Sequence, residues 1–149
     1  MNDGSAGIGL ASHGLRLDTL ARADDRAMKA FAEDLLPHLG QIEVVQSRTG
    51  LVMLPLRDTV TGTDFHLGEV LVAEAHIRVP ETSVEGFGMV VGRDLERAMA
   101  MAVIDAAATA GRQADRITRF IADEATRARE ADDARLRAVE ATRVDMETF

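Results

Sequence analysis

Two side chains capable of proton transfer or metal binding stand two positions apart in a strand-like segment. Glu74 and His76 are separated by one residue, and His66 lies farther toward the N-terminus on the same alternation. Residues at i and i+2 of a strand share a face, so Glu74 and His76 are expected to project together. Carboxylates and imidazoles are ligands for divalent metals, and His13 and His38 are more distant donors.

The spacing of these donors argues against a metal centre. Gly68, Val70 and Val72 lie between His66 and Glu74 on the same face, and each residue advances a strand by roughly 3.3 Å. The sequence also has no HExxH-type pair on one helix face. We therefore interpret Glu74 and His76 as part of a solvated or interfacial face and predict no metal site.

Glu69 stands at an odd position in a segment whose other odd positions are apolar. A carboxylate on a buried face must be paired or hydrogen-bonded, and Arg48, Arg57 or an arginine of a partner are the candidates. A perturbed carboxylate can act as a catalytic base, but no second catalytic group accompanies this one. We expect Glu69 to be a paired, buried acid.

Arg93 and Asp94 precede a helical segment and allow two interpretations. Asp94 can cap the helix by accepting its free N–H groups, which is worth about 1 kcal/mol. Alternatively, Arg93 and the same N–H groups can hold a phosphate or phosphonate oxyanion. Capping is favoured because caps of this type are common.

Glycines at 7 and 9, and again at 86, 88 and 92, imitate a dinucleotide-binding fingerprint. The first set has no preceding strand and fails the structural context that the motif requires. The second set lies within a strand-like segment, Val84 to Val91, where glycine permits a bulge or close packing. We predict small residues packed beneath a helix there, in preference to nucleotide binding.

The elements that must position these residues follow from the hydrophobic period. Residues 1–14 are predicted to be a flexible tail, and residues 15–39 to be helical, with Asp24 and Asp25 at the start of a second helix and Pro37 and Gly40 at its end. Four strand-like segments follow, at 42–48, 51–57, 65–79 and 84–91, with short connections that favour an antiparallel meander. The predicted fold class is therefore α+β: N-terminal helices, a four-stranded antiparallel sheet, one packed helix and a long C-terminal helical arm.

The C-terminal segments predict the packed helix and the arm. Residues 95–106 carry the apolar stripe of a helix that packs on the sheet, and Gly111 is expected to end it. The next helix, from about Arg112 to Thr142, has no large apolar residue between Ala122 and Arg135. Thirty helical residues span on the order of 45 Å, which is longer than a domain of this size needs. An apolar surface resumes at the far end and is predicted to bind a partner; its members are Leu136, Val139, Val144, Met146 and Phe149.

Composition excludes several classes of protein. The chain has 149 residues, a net charge of −8 and no cysteine, which predicts one domain, over residues 15–149, without a thiol nucleophile or a cysteine-held iron–sulfur cluster. The acidic balance argues against nucleic acid, and no apolar segment has the roughly 20 residues of a membrane span. No signal peptide is apparent at the N-terminus, so a cytoplasmic protein is expected.

Several short segments occur in the order that is typical of a known family. They are Thr49-Gly-Leu-Val52, Phe65-His-Leu-Gly-Glu-Val-Leu-Val72 with Glu74-Ala75, Gly86-Phe-Gly-Met-Val-Val-Gly92 with Arg93-Asp94, Ala102-Val-Ile-Asp-Ala106 and Thr142-Arg-Val-Asp145. Together they resemble the phosphonate metabolism protein PhnG, the G subunit of the bacterial carbon–phosphorus lyase core complex. The resemblance covers nearly the whole chain from about Leu15.

The resemblance implies an accessory, non-catalytic subunit that works with the I subunit and with the H, J and L subunits, and that pairs with a second copy within the complex. The implied reaction is displacement of adenine from MgATP by methylphosphonate, giving ribose 1-methylphosphonate 5-triphosphate. The iron–sulfur cluster belongs to the J subunit, and this chain is expected to hold no cofactor. No catalytic residue is assigned; the candidate phosphate or interface contacts are Glu69, Glu74, His76, Arg93, Asp94 and Arg143. The alternative is a small enzyme or phosphate-binding protein with a Glu/His/Arg site on the sheet.

Overall fold

The computed structural model describes residues 4–57 and 60–147 and has the predicted mixed α+β class. In chain order the elements are α1 (Gly4–Ala21), α2 (Asp25–Leu39), β1 (Glu43–Arg57), β2 (Asp64–Val79), β3 (Val84–Val91), α3 (Leu95–Thr109) and α4 (Ala114–Glu147). Helix α3 packs on one face of an antiparallel sheet whose strand order is the same as the chain order, and α2 packs on α3.

The sheet has three strands in the described residues, and the prediction of four was wrong. The two predicted segments at 42–48 and 51–57 form the single strand β1, because β2 is long enough to pair with both. At the predicted connection, Thr49 lies opposite Ala73 and Gly50 opposite Val72, without interruption of the ladder. Glycine weakens a strand but does not end it when the partner strand continues.

The N-terminal helix is longer than predicted. Residues 1–14 were expected to be a flexible tail, but α1 begins at Gly4 and includes Gly7 and Gly9. The second helix begins as predicted: the Asp24 carboxylate accepts the N–H of Ala27 at 3.0 Å. Pro37 lies inside the last turn of α2, and Gly40, with φ of 79°, follows its end.

The core lies between the sheet and helices α2 and α3. The predicted alternation of β2 is confirmed in its second half, where Ala73, Ala75, Ile77 and Val79 are all buried. Leu20, Met28, Leu35 and Ile104 of the helices belong to the same core cluster and are also fully buried. Burial of apolar surface of this kind is the main source of folding free energy.

Helix α3 packs unusually close to β3, as the glycine spacing predicted. A Cβ built on Gly88 would fall on the backbone carbonyl of Ala98, and one on Gly86 would fall on that of Ala102. The glycines at 86 and 88 therefore serve helix–strand packing. Gly111 follows the end of α3 with φ of 70°, which also confirms the predicted break.

Candidate functional site

Glu74 and His76 lie on the face of the sheet that α3 does not cover, which we call the open face. On β3 the buried positions are 86, 88 and 90, whereas Phe87 and Met89 are exposed on the other side. Glu74 is paired in the ladder with Met89 and His76 with Phe87, so all four share the open face. The structure thus confirms that Glu74 and His76 project together.

Each of these two side chains lies beside a charged side chain of the same chain. The Glu74 carboxylate accepts from Nε of Arg48 at 3.0 Å on the neighbouring strand. The His76 Nε2 lies 3.3 Å from a carboxylate oxygen of Glu85, and its ring stacks on Phe87 with 4.4 Å between centroids. The side chain of His66 lies outside the described residues.

A groove of about 810 Å³ runs between the open face and helix α1. Its walls are mainly apolar, and Leu17 and Ala21 of α1 face Phe87 and Met89 of the sheet across it. Ligand pockets are generally concave and mostly apolar with a few polar groups, and this groove has that character. The polar groups at its border include Arg48, Glu74 and His76, which are already paired with one another or with Glu85.

Asp94 caps helix α3, which confirms the favoured interpretation. Its carboxylate accepts the backbone N–H of Arg97 at 3.0 Å and lies 3.0 Å from Nζ of Lys29. The N–H of Arg97 and, after it, the Lys29 ammonium hold the pKa of the Asp94 carboxyl below its usual value. Hydrogen bonds to Asp94 and Asp25 raise the pKa of Lys29 in turn. Arg93 is exposed, and its side chain has no ion pair with the part of the chain that the structure describes.

Glu69 is exposed, so the expectation that it is buried was wrong. The last paired residues of β3 and β2 are Val91 and Val72, so β3 and α3 do not extend as far as Glu69. There β2 pairs with β1 alone, and the two form a projecting two-stranded ribbon over residues 51–57 and 64–71. Arg48, one proposed partner, pairs with Glu74 instead, and the side chain of Arg57 lies outside the described residues.

A buried charged cluster around Asp105 was not predicted from the sequence. This carboxylate is fully buried; one oxygen accepts from Nε and Nη2 of Arg16 at 3.1 and 2.9 Å and lies 2.9 Å from Nε2 of His13. The other oxygen accepts the backbone N–H of Phe87 at 3.0 Å. An acid inside the apolar segment 102–107 was the available signal. The cluster fixes α1 against α3 and the edge of β3.

Acidic side chains hold the first half of α4 in place, and these contacts were also not predicted from the sequence. The buried Glu124 accepts the backbone N–H of Asp24 at 3.1 Å, and Asp132 pairs with Arg22 at 2.8 Å. The Arg22 guanidinium lowers the pKa of the Asp132 carboxyl. The absence of large apolar residues from 122 to 135 therefore marks polar docking onto the α1–α2 connection, which the apolar pattern alone did not predict.

Beyond Asp132 the helix continues without a partner in the described residues. α4 has 34 residues, which corresponds to about 51 Å. Leu136 and Val139 near its end are 63% and 59% exposed, and Arg143 is exposed one turn farther. The side chains of Val144 and Met146 and the whole of Phe149 lie outside the described residues. Residues 133–147, which we call the α4 tip, are the distal part of the arm that was predicted over residues 112–149.

The candidate residues are therefore dispersed. Glu74 and His76 share the open face, Asp94 caps α3, Glu69 lies on the ribbon and Arg143 on the α4 tip. Among the side chains that the structure describes, no group of three or more metal-binding residues is placed to hold an ion. In the same residues, no helix is both long and apolar enough to cross a membrane.

Comparison with known proteins agrees with the resemblance seen in the sequence. The family model described as phosphonate metabolism protein PhnG matches residues 14–149. HtxH of Stutzerimonas stutzeri, which is named as a C-P lyase subunit protein, is 30% identical over 106 residues. That alignment covers 64% of this chain and 28% of HtxH, so the matched part spans little more than a quarter of the curated relative.

Proposed function

The chain belongs to the PhnG family of phosphonate metabolism proteins, and from this premise we propose that it is an accessory, non-catalytic subunit of a carbon–phosphorus lyase complex. The proposed reaction of the complex is displacement of adenine from MgATP by methylphosphonate, giving ribose 1-methylphosphonate 5-triphosphate. Its direct partner is the I subunit, within an assembly that also contains the H, J and L subunits.

The observation that carries this proposal is the α4 tip. Leu136 and Val139 are more than half exposed on a helix that extends roughly 22 Å beyond Asp132, where it makes its last ion pair with a residue outside α4. Isolated helical segments of this length are marginal in water, and most helical stability comes from packing of an apolar face. A partner that covers Leu136 and Val139 supplies that packing. Two copies of the chain pair within the same assembly.

The internal pairing of the polar candidates supports a non-catalytic role. Glu74 is engaged by Arg48, and Asp94 by Lys29 and the Arg97 N–H. A general base needs a free lone pair within reach of substrate, and a carboxylate in an ion pair is a weaker base. We assign the bond-making steps to other subunits of the complex.

The proposal also locates the cofactors elsewhere. The chain has no cysteine, so it has no thiolate to bind an iron–sulfur cluster, and the cluster is assigned to the J subunit. MgATP is bound by the assembled complex in the cytoplasm, with Arg93, Asp94 and Arg143 as candidate contacts at a shared boundary. None of these residues is given a catalytic role.

The test is an adenine-release assay on the complex reconstituted with and without this chain. We expect the I subunit to co-purify with the chain, and omission of the chain to lower adenine release at least tenfold. The isolated chain is expected to release no adenine above background. Full activity of the chain alone, or of the complex without it, contradicts the proposal.

The groove beside Glu74 and His76 favours one alternative, a small site that binds or acts on a phosphorylated ligand. The double change Glu74→Ala and His76→Ala separates the two proposals. An accessory role predicts unchanged adenine release by the assembled complex, whereas a catalytic role predicts its loss without loss of assembly. If Arg93→Ala raises only the apparent KM, we infer that Arg93 contacts the phosphate groups at the boundary between subunits.

A further inference from the structure

The hydrogen bonds at the edge of β3 determine which backbone groups point outward across the whole sheet. Phe87 donates its N–H to Asp105 at 3.0 Å, and Met89 donates to Sδ of Met101 at 3.4 Å. These two N–H groups therefore point away from β2. In an antiparallel ladder, each residue directs its N–H and C=O to the same side, and the side alternates along the strand. Residues 86, 88 and 90 consequently bond to β2.

The same alternation of backbone hydrogen-bond direction applies to β2 and then to β1. Residues 86, 88 and 90 lie opposite Ile77, Ala75 and Ala73, so the intervening residues of β2 bond to β1. Those residues are Val72, Glu74 and His76, and they lie opposite Gly50, Arg48 and Gln46. The N–H and C=O groups of Ser47, Thr49 and Leu51 must then point outward, away from the sheet. No other residue that the structure describes bonds to their backbone.

The two edges of the sheet thus differ in whether their outward backbone groups are hydrogen-bonded. The β3 edge is closed by side chains of α3, whereas the β1 edge is open. Residues 46–54 keep one register with β2, between irregularities at each end, and extend for about 30 Å. This segment contains Leu51, Val52 and Met53, which are 62%, 41% and 56% exposed. A long edge strand with exposed apolar residues is a ready template for another strand, and native proteins usually protect such an edge.

We propose that an extended segment of a partner protein adds to β1 as a fourth strand, bonding to the backbone of Ser47, Thr49 and Leu51. The inference rests on the proposed function, because it assigns to the complex partner a second contact, separate from the α4 tip. Strand addition draws its affinity from main-chain hydrogen bonds and its specificity from alternate side chains. Leu51 and Met53 are exposed apolar side chains of this edge, so the added strand must present apolar residues next to them.

Charge selects a basic partner segment over a second copy of this chain. Each chain carries a net charge of −8, so like charges oppose a second copy at this acidic edge. Along the edge, Glu43 and Glu69 are exposed and have no ion pair among the described residues, whereas Arg48 is neutralised by Glu74. Complementary charge directs association and excludes wrong partners. The added strand therefore carries lysine or arginine near its ends.

Thr49→Pro tests the strand addition, with Thr49→Val as the matched control. Proline removes the outward N–H of residue 49 and leaves the hydrogen bonds between β1 and β2 in place, since those are made by residues 48 and 50. Valine keeps the N–H and the branched side chain. The measurement is the Kd of the full-length chain for the purified I subunit, with hydrogen exchange of the wild-type complex. Circular dichroism of each variant checks the fold.

We expect Thr49→Pro to raise the Kd at least tenfold and Thr49→Val to change it less than twofold. The amides of Thr49 and Leu51 should gain protection in the wild-type complex, and this readout decides the question if the proline variant does not fold.

If Thr49→Pro binds as well as wild type and these amides exchange freely in the complex, strand addition is wrong and the proposed function stands. If the wild-type chain does not bind the I subunit, the proposed function fails, and strand addition by this partner fails with it. If sedimentation shows a homodimer that Thr49→Pro dissociates, the edge is occupied by a second copy, which overturns the proposed occupant.

Discussion

Phe87 donates its backbone N–H to a carboxylate oxygen of Asp105 across 3.0 Å, so a fully buried acid of α3 closes the outer edge of β3. The second oxygen of the same carboxylate binds Arg16 of α1. The Asp105 side chain thus connects α3 to α1 and to the edge of β3. A buried charge is tolerated only where it is paired and hydrogen-bonded in this way.

Replacing Asp105 should be strongly destabilising. Asp105→Asn keeps the shape but leaves the Arg16 guanidinium without its counter-charge, and breaking a buried pair costs about 3 to 5 kcal/mol. The free energy of unfolding in urea measures the effect. Asp123→Asn on the exposed side of α4 is the control and should change stability by less than about 0.5 kcal/mol. A loss below about 1 kcal/mol for Asp105→Asn would show that the cluster is not a structural anchor.

Asp94 should make stability depend on pH at the acidic end. Its pKa in the folded protein is lowered below the ordinary value of 3.8, so its contribution is fully present above that value and is lost as the pH falls through the folded-state pKa. Asp94→Asn keeps a capping side chain without the charge. The difference in unfolding free energy between wild type and Asp94→Asn should therefore be constant from about pH 5 to 8 and shrink toward zero below about pH 3.

Lys29, the partner of Asp94, should make stability depend on pH in the alkaline range as well. Its pKa is raised above 10.5, so the stabilisation from its charge is present below that value and lost as the pH rises through the folded-state pKa. In a Lys29→Met background, the acidic pH dependence should weaken but persist, because the Arg97 N–H still favours the Asp94 carboxylate. Complete loss of the dependence in that background would mean that the backbone cap contributes nothing.

Gly88→Ala should disrupt the packing of α3 on the sheet. The added Cβ would fall on the carbonyl of Ala98, and because that atom belongs to the backbone, the helix itself must move. Overpacking of this kind costs about 1 to 3 kcal/mol. Gly68→Ala on the ribbon is the control, since a Cβ there meets nothing within 4 Å. Thermal unfolding compares the two, and equal melting temperatures would refute close packing as the role of Gly88.

Polar substitution of the α4 tip should separate folding from partner binding. Leu136→Gln with Val139→Gln removes apolar side chains that touch little in the isolated chain, so its stability should change by less than about 0.5 kcal/mol. Binding to the I subunit should weaken at least tenfold, because buried apolar anchors dominate interface energy. The control is Ala134→Gln with Ala141→Gln, also on exposed positions of the tip. Equal binding by both pairs would remove the α4 tip from the interface.

Several elements could be predicted because their signals are local. The cap at Asp94 needs only an acidic residue before an apolar helical pattern, and the projecting end of α4 needs only a helix longer than a domain of this size requires. The glycines at 86 and 88 were correctly assigned to close packing, since small residues in a strand next to a helix have few other uses. The polar support of α4 by Glu124 and Asp132 could not be predicted, because its partners Asp24 and Arg22 lie about 100 residues away in the sequence.

The amino-acid sequence by itself determined the α+β class, the family and the absence of cysteine chemistry, since these depend on composition, period and segment order. Tertiary structure alone decided that β1 is one strand and that Glu69 is exposed, because a strand's length and a residue's burial depend on how far its neighbours extend. It also decided that Asp105 closes one edge of the sheet while the other edge stays open. Pairing between distant side chains and the direction of backbone groups are properties of the assembled sheet, and no local pattern encodes them.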